Sequence, residues 1–497
     1  MQQEARSKML GTMPMNKLIP KVSLPIMVSM IVQALYNVVD SIYVSRYDPD
    51  ALTAVSLAYP FQMLMIALGV GMAVGIASLL SRKLGERKPE EARRAAWNGF
   101  LIEGGNWLIF LIVGLALAPT LLNLVVNADT LKNAEKIRGL GITYLSTVTT
   151  WSFGLFMAVL MERLLQATGN TVLSMITQLA GAVTNIVLDP ILIFNADMGV
   201  AGAAVATVIG QWVSAGVGFA LNQTKNAELR MHPRDFAVDG KLLRAILAVG
   251  LPSTVMQAIG SVMNVGMNAI LSGFETLGNA AVNVLNVYFK LQSFIFMPCF
   301  GLGAGMIAIV GYNFGARLKE RVYAAIRIAL RYAVIIMAVG TLIFQVFPGQ
   351  LMSVFSAEET AAVPQAEESA EAETGAAGVD AEEAARLRQE KEDQALVARQ
   401  MAEIGPGALR TISLCFILAA IGVTLSNVFQ ALGKGLYSMT LSICRQLLVL
   451  LPAAILLKAV FGTVDAVWWS FLIAEGVSCV VCLLLYRKVR REVLEKL

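Results

Sequence analysis

Runs of roughly twenty apolar residues recur along almost the whole chain, and no other feature limits its folding so severely. About 20 apolar residues in a helix cross the ~30 Å hydrocarbon core of a bilayer. Hydropathy marks twelve such spans, near residues 17–45, 53–80, 95–118, 138–160, 171–195, 199–222, 241–271, 279–307, 322–347, 406–428, 436–460 and 464–487. Only 15% of the 497 residues are charged and 57% are hydrophobic, whereas about a quarter of a soluble domain is charged. The chain therefore reads as an all-α polytopic membrane protein with twelve transmembrane helices. The first span is too long for a signal-peptide core and has no small-residue cleavage site, so it is expected to remain as the first helix.

The connecting loops alternate in charge. One set carries Arg82, Lys83, Arg87, Lys88, Arg93, Arg94, Arg163, Lys225, Arg230, Arg234, Arg317, Lys319, Lys434 and the tail residues Arg487, Lys488, Arg490 and Arg491. The other carries Asp48, Asp50, Asp129, Asp197, Glu275 and Asp465. Basic loops stay on the cytoplasmic side, which places both termini there, as an even number of spans requires. The net charge of +4 belongs mainly to these loops and does not signal nucleic-acid binding.

The chain repeats itself. Pro25, Asn37 and Ser45 match Pro252, Asn264 and Ser272 at an offset of 227, and Gly71, Gly75, Gly85 and Arg87 match Gly301, Gly305, Gly315 and Arg317 at 230. Further on, Gln166-Ala167, Gly169 and Ser174-Met175 match Gln430-Ala431, Gly433 and Ser438-Met439 at 264. Each repeat holds six spans, so both halves enter the bilayer in the same orientation. Two six-helix bundles related by a pseudo-twofold axis along the membrane normal follow, a plan in which substrate sits near the midplane between the halves. The expected organisation is a cytoplasmic N-terminal tail (1–16), an N-lobe (17–222), a cytoplasmic linker (223–240) and a C-lobe (241–490). The growing offset locates an insertion at 356–403, rich in Ala and Glu and too poor in apolar side chains to offset its ordering entropy. It is expected to be a solvated extracellular loop with an exposed helix over 380–400. Gly71-x-x-x-Gly75 and Gly301-x-x-x-Gly305 have the spacing that lets membrane helices approach closely.

Polar residues inside spans are costly and mark function. In the first span Gln33, Tyr36, Asn37 and Asp40 interrupt the apolar run, with Gln33, Asn37 and Asp40 at helical spacing. The fifth span carries Gln178, Asn185 and Asp189, followed by Pro190. If both stripes face one low-dielectric cavity, two carboxylates there repel as anions, which favours proton uptake. The seventh span repeats the first without its acid: Gln257, Ser261, Asn264 and Asn268 share a face, and Met267 stands in the place of Asp40. Asn279, Asn283, Asn286 and Lys290 run along the eighth span. Acids thus mark one half and a base the other. Pro25 removes one backbone hydrogen bond upstream of Asp40 and is expected to hinge the first span when Asp40 takes up a proton.

No G-x-x-x-x-G-K-S/T phosphate cradle is present, so energy must come from an ion gradient rather than from ATP. His232 is the single histidine, which removes histidine metal sites and catalytic triads. Cys479 and Cys482 form a C-x-x-C inside an apolar span without a second pair, a packing pattern rather than a redox one. No cofactor and no enzyme chemistry are expected.

Pro25, Leu35–Val44 with Asp40, Gly69–Arg87, Glu162–Gly169 and Asn185-x-x-x-Asp189-Pro190 resemble the bacterial multidrug and toxic compound extrusion (MATE) family over nearly the whole chain outside 356–403. The resemblance implies two lobes flanking a cleft and a monomeric inner-membrane antiporter that exchanges cationic or amphipathic small molecules for protons or sodium. It assigns ion coupling to Asp40, Asp189, Asn185 and Asn37. Gln33, Tyr36, Gln178, Gln257, Asn264, Asn283, Asn286 and Lys290 are then the substrate-binding candidates, with Pro25 as hinge. A second branch of the family carries acids on helices seven and ten, which this chain lacks. That favours proton coupling in the first lobe, although sodium at Asp40, Asn185 and Asp189 stays open. A flippase for a lipid-linked precursor is the alternative from another class; it calls for several cations along a groove, and Lys290 and Arg445 are few.

Overall fold

The computed structural model describes residues 5–126, 133–353 and 381–497. All regular structure among them is helical, as a hydrocarbon environment demands of backbone that must satisfy itself. The N-lobe comprises α1 (Met15–Tyr47), α2 (Pro49–Gly85), α3 (Pro89–Val125), the bent α4 (Ala134–Thr150 and Phe153–Ala167), α5 (Thr171–Asn195) and α6 (Gly199–Lys225). The C-lobe comprises α7 (Gly240–Ser272), α8 (Gly278–Gly315), α9 (Lys319–Val346), the bent α10 (Ala395–Ser413 and Phe416–Ala431), α11 (Gly435–Phe461) and α12 (Val464–Leu494). The bends measure 46° in α4 and 49° in α10, at equivalent places in the two lobes.

Several boundaries differ from those read in the sequence. Pro89, Glu90 and Glu91 start α3 inside what hydropathy assigns to a loop, because Pro at the first turn and acids at a helix N-terminus suit helix initiation. The first part of the 356–403 insertion lies outside the described residues. Its second part is helical from Ala381 and runs without a break to Ser413, and Met401 is already fully buried; the expected exposed helix is an extension of the tenth span. The N-terminal tail also holds structure, a short helix Ala5–Thr12. The interlobe linker is tied to α3 through Arg93–Asp235 (2.8 Å) and the Asn98 amide donating to Ala237 O (2.9 Å).

The lobes meet through α1, α2, α7 and α8, with α1 on α8 and α2 on α7. Glycine decides how closely. A Cβ at Gly71 would overlap the Thr254 backbone, and one at its repeat mate Gly301 would overlap Met27, the mate of Thr254. Gly75 lies on Ile246 and Gly250, and Gly305 lies on Ser23. Gly85 lies on Tyr312, and Gly315 on Arg82. Each contact has its image across the pseudo-twofold axis. All six sit toward the end of the bundle that bears the basic loops, where Ser78 Oγ also donates to Gln430 O (2.6 Å).

Toward the other end the same two helices turn an open face to the space between the lobes. Ser56, Tyr59, Pro60 and Leu64 of α2 are exposed, as are Asn286, Lys290 and Phe294 of α8. Ser56, Pro60 and Leu64 match Asn286, Lys290 and Phe294 at the repeat offset of 230. A cleft is therefore open at the acidic end and shut at the basic end. Over-packing at such a seam costs about 1–3 kcal/mol, whereas Ala for Gly in an open helix face gains about 0.5–1 kcal/mol. Gly71→Ala is expected to lower thermal stability in detergent, and Gly216→Ala, where nothing lies within 4 Å, to raise it slightly.

Candidate functional site

Four exposed apolar residues, Leu24, Val28, Leu35 and Ile42, line one stripe of α1 and face lipid. Gln33, Tyr36 and Asp40 occupy the far side and look into the N-lobe. The Gln178 amide of α5 donates to Gln33 Oε1 at 2.8 Å and ties the two helices together. Two turns further along α5, the Asn185 amide donates to Asp189 Oδ1 at 3.1 Å, with both residues buried. Gly181 and Gly210 bring α5 and α6 backbone to backbone behind this pair. Asp40 lies within electrostatic reach of Asp189, Tyr36 and Tyr144. The two acidic stripes thus come together.

The site leaves several of its acceptors unmet. Asp40 Oδ1, Asp189 Oδ2 and Asn185 Oδ1 are buried acceptors to which no protein group donates. Leaving such oxygens unmet in a low-dielectric interior is expensive, and for an ionised carboxylate far more so. A proton or a small oxygen-seeking cation would satisfy them. Among the described residues no cluster of three or more His, Cys, Asp or Glu exists.

Asn37 does not join the group. Three residues before Asp40 is a 60° turn around the helix axis, whereas Gln33 and Asp40, seven apart, differ by about 20°; Asn37 is exposed at the rim of the polar face. Tyr144 and Gln62 were not legible as site residues. Tyr144 is buried beside the acids with its hydroxyl 3.4 Å from Gln62 Oε1, and its only sequence signal is the hydroxyl-rich run Thr143–Thr150. Tyr43 and Tyr47 pack on Phe194 with ring centroids 6.4 and 6.3 Å apart, which fastens the outer end of α1 to α5.

The C-lobe presents a different surface. Met267 is fully buried in the place of Asp40. Gln257, Asn264 and Asn283 are half-buried, Asn286 and Lys290 exposed, and the Asn264 and Asn268 side-chain oxygens have no donor. The acid in this lobe, Glu475, is taken up by Arg445 at 3.2 Å.

Residues 25–191 and 252–371 match the MatE family model, and the two matched stretches begin at the paired prolines. The multidrug export protein MepA of Staphylococcus aureus (strain bovine RF122 / ET3-1) is 25% identical over 485 residues, covering 96% of this chain and 94% of the relative. The MepA of Staphylococcus saprophyticus is 25% identical over 474 residues, covering 94% of this chain and 92% of the relative. A MATE crystal structure in complex with MaL6 superposes with a TM-score of 0.84 at 25% identity, over 98% of this chain and 99% of that one.

If Asp40 and Asp189 share one cavity, their substitutions must not act independently. Distant sites add within about 0.3–0.5 kcal/mol, and coupled ones deviate by roughly 0.5–3 kcal/mol. A double-mutant cycle of Asp40→Asn and Asp189→Asn, read by unfolding in detergent, is expected to show coupling in that higher range.

Proposed function

The chain belongs to the MatE family, and we propose that it is a secondary active antiporter exporting cationic or amphipathic drugs in exchange for protons. The carrying observation is a pair of N-lobe carboxyls, Asp40 and Asp189, each with one buried oxygen that receives no donor among the described residues. Such a pair attracts an organic cation while charged and loses that attraction once protonated, so drug and proton compete for one charge. Competition of this kind makes the exchange obligatory: each ligand shifts the protein only through its different affinity for the two states. One charge moving across 100 mV supplies about 2.3 kcal/mol, enough to bias such a cycle.

In this reading the protein lies in the bacterial inner membrane with the basic end and both termini cytoplasmic. The state described here then faces outward. Substrate enters between the lobes, against Gln33, Tyr36 and Gln178 on one side and Gln257, Asn264, Asn283, Asn286 and Lys290 on the other. Asp40 and Asp189 take the proton, with the Asn185 amide holding Asp189 Oδ1, while exposed Asn37 serves the passing substrate rather than the ion. Pro25 gives α1 the freedom to shift when Asp40 changes charge. A sodium ion could use the same three oxygens, since hard cations seek oxygen ligands, but two carboxylates and one amide form a thin shell.

Efflux of a fluorescent organic cation from proteoliposomes tests this, with a pH gradient or a sodium gradient imposed alone. Wild-type protein is expected to respond to the pH gradient, and Asp189→Asn to lose that response by at least about tenfold, the equivalent of ~1.4 kcal/mol. Sodium-driven efflux would replace the ion and keep the mechanism. No gradient-driven cation movement in the wild type would overturn the proposal in favour of a lipid-precursor flippase.

A further inference from the structure

The pseudo-twofold axis pairs the six glycine contacts at the shut end, but not every contact there. In the C-lobe the turn between α10 and α11 holds Gly433 at φ +77°, and the Arg82 guanidinium from the opposite lobe lies over it. The mate of Gly433 is Gly169, φ +78°, in the turn between α4 and α5, and the mate of Arg82 is Tyr312. Gly169 is covered instead by Leu10 and Met9, and the Tyr312 ring packs on Gly11. The short helix Ala5–Thr12 therefore lies between the lobes where the other half of the molecule makes direct contact.

It is attached to both lobes. On the C-lobe side, Asn313 Nδ2 and Arg321 Nη2 both donate to Leu10 O (3.0 and 3.1 Å), and Arg321 Nη2 also donates to Met13 O (2.8 Å). Arg321 Nε in turn holds Asn313 Oδ1 at 2.9 Å. These carbonyls lie at and just beyond the helix C-terminus, where acceptors lack intrahelical partners and a cation is favoured. On the N-lobe side Leu10 is fully buried against Gly169, and Ser7 Oγ donates to Glu228 of the linker.

We infer that the Ala5–Thr12 helix is a bolt: Arg321 and Asn313 carry it on the C-lobe, Leu10 seats it against Gly169 of the N-lobe, and the cleft opens at the basic end only when Leu10 leaves that seat. The inference rests on the antiport reading above for its role in transport, but not for its effect on shape. Loss of a charge-assisted hydrogen bond weakens a closed state by about tenfold.

The test measures spin-label distances between Lys225→Cys and Arg487→Cys, at the basic ends of α6 and α12, in a chain whose five native cysteines are replaced. The distribution is expected to be dominated by one short distance. Arg321→Ala and Leu10→Asp, which act through different chemistry, should each raise the long-distance fraction by about tenfold, and Arg321→Lys should recover most of the short distance. Unchanged distributions in variants that melt like the parent overturn the bolt. So does a shift seen in Arg321→Ala and absent from Leu10→Asp, because Arg321 would then act without the helix. Shifted distances in a protein that exchanges no organic cation for protons or sodium keep the bolt and overturn the antiport reading instead.

Discussion

Backbone touching backbone at six glycines holds this molecule in its shape. Between helices in lipid there is no hydrophobic gain, because the tails they displace are as apolar as the side chains that replace them. What remains is van der Waals contact, and that grows as backbones approach. Gly71, Gly75 and Gly85 allow it on α2, and Gly301, Gly305 and Gly315 allow it on α8. Since all six lie toward one end, the lobes close there. The exposed faces at Ser56–Leu64 and Asn286–Phe294 are left to line a cleft. The cleft needs no residues of its own to prop it open; it is where the glycines stop.

The second constraint is electrical. A buried carboxylate normally finds a cation or several N–H donors, and the C-lobe obeys that rule with Arg445 on Glu475. The N-lobe breaks it. Gln178 bonds to Gln33, and Asn185 to Asp189 Oδ1, without donating to Asp40 Oδ1 or Asp189 Oδ2. Had a lysine stood nearby, the pair would be as inert as Arg445–Glu475. Left unmet, these oxygens favour whatever positive charge enters the cleft.

Much of this was legible in the residues. The repeat offsets located the glycine seam, because a close approach leaves a spacing that survives in each copy. Gln33, Asp40, Gln178 and Asp189 were found because polar residues are rare inside spans. What spacing could not report is the neighbour across the gap. It grouped Asn37 with Asp40, although a 60° turn separates them, and it passed over Tyr144, whose closeness to the acids depends on how α4 packs on α2. The Ala5–Thr12 helix was hidden for a related reason. Its apolar residues Met9, Leu10 and Met13 are too few to mark a span, and their burial comes from two lobes that are far apart in sequence.

The repeat copied the frame and not the chemistry, and α1 is where the difference matters. Its inner half belongs to the seam, with Ser23 under Gly305 and Met27 under Gly301. Its outer half carries Asp40 to the acid pair. Pro25 stands between Ser23 and Met27, at the step from one half to the other. The mate α7 has the same plan, Gly250 and Thr254 flanking Pro252 at the seam, but buried Met267 in place of the acid. Both helices carry the proline inside an unbroken helix, and one of them also carries an acid. In the proposed antiporter, a proton on Asp40 acts on the same continuous helix whose other end helps hold the lobes shut, so the signal need not pass through any intermediary.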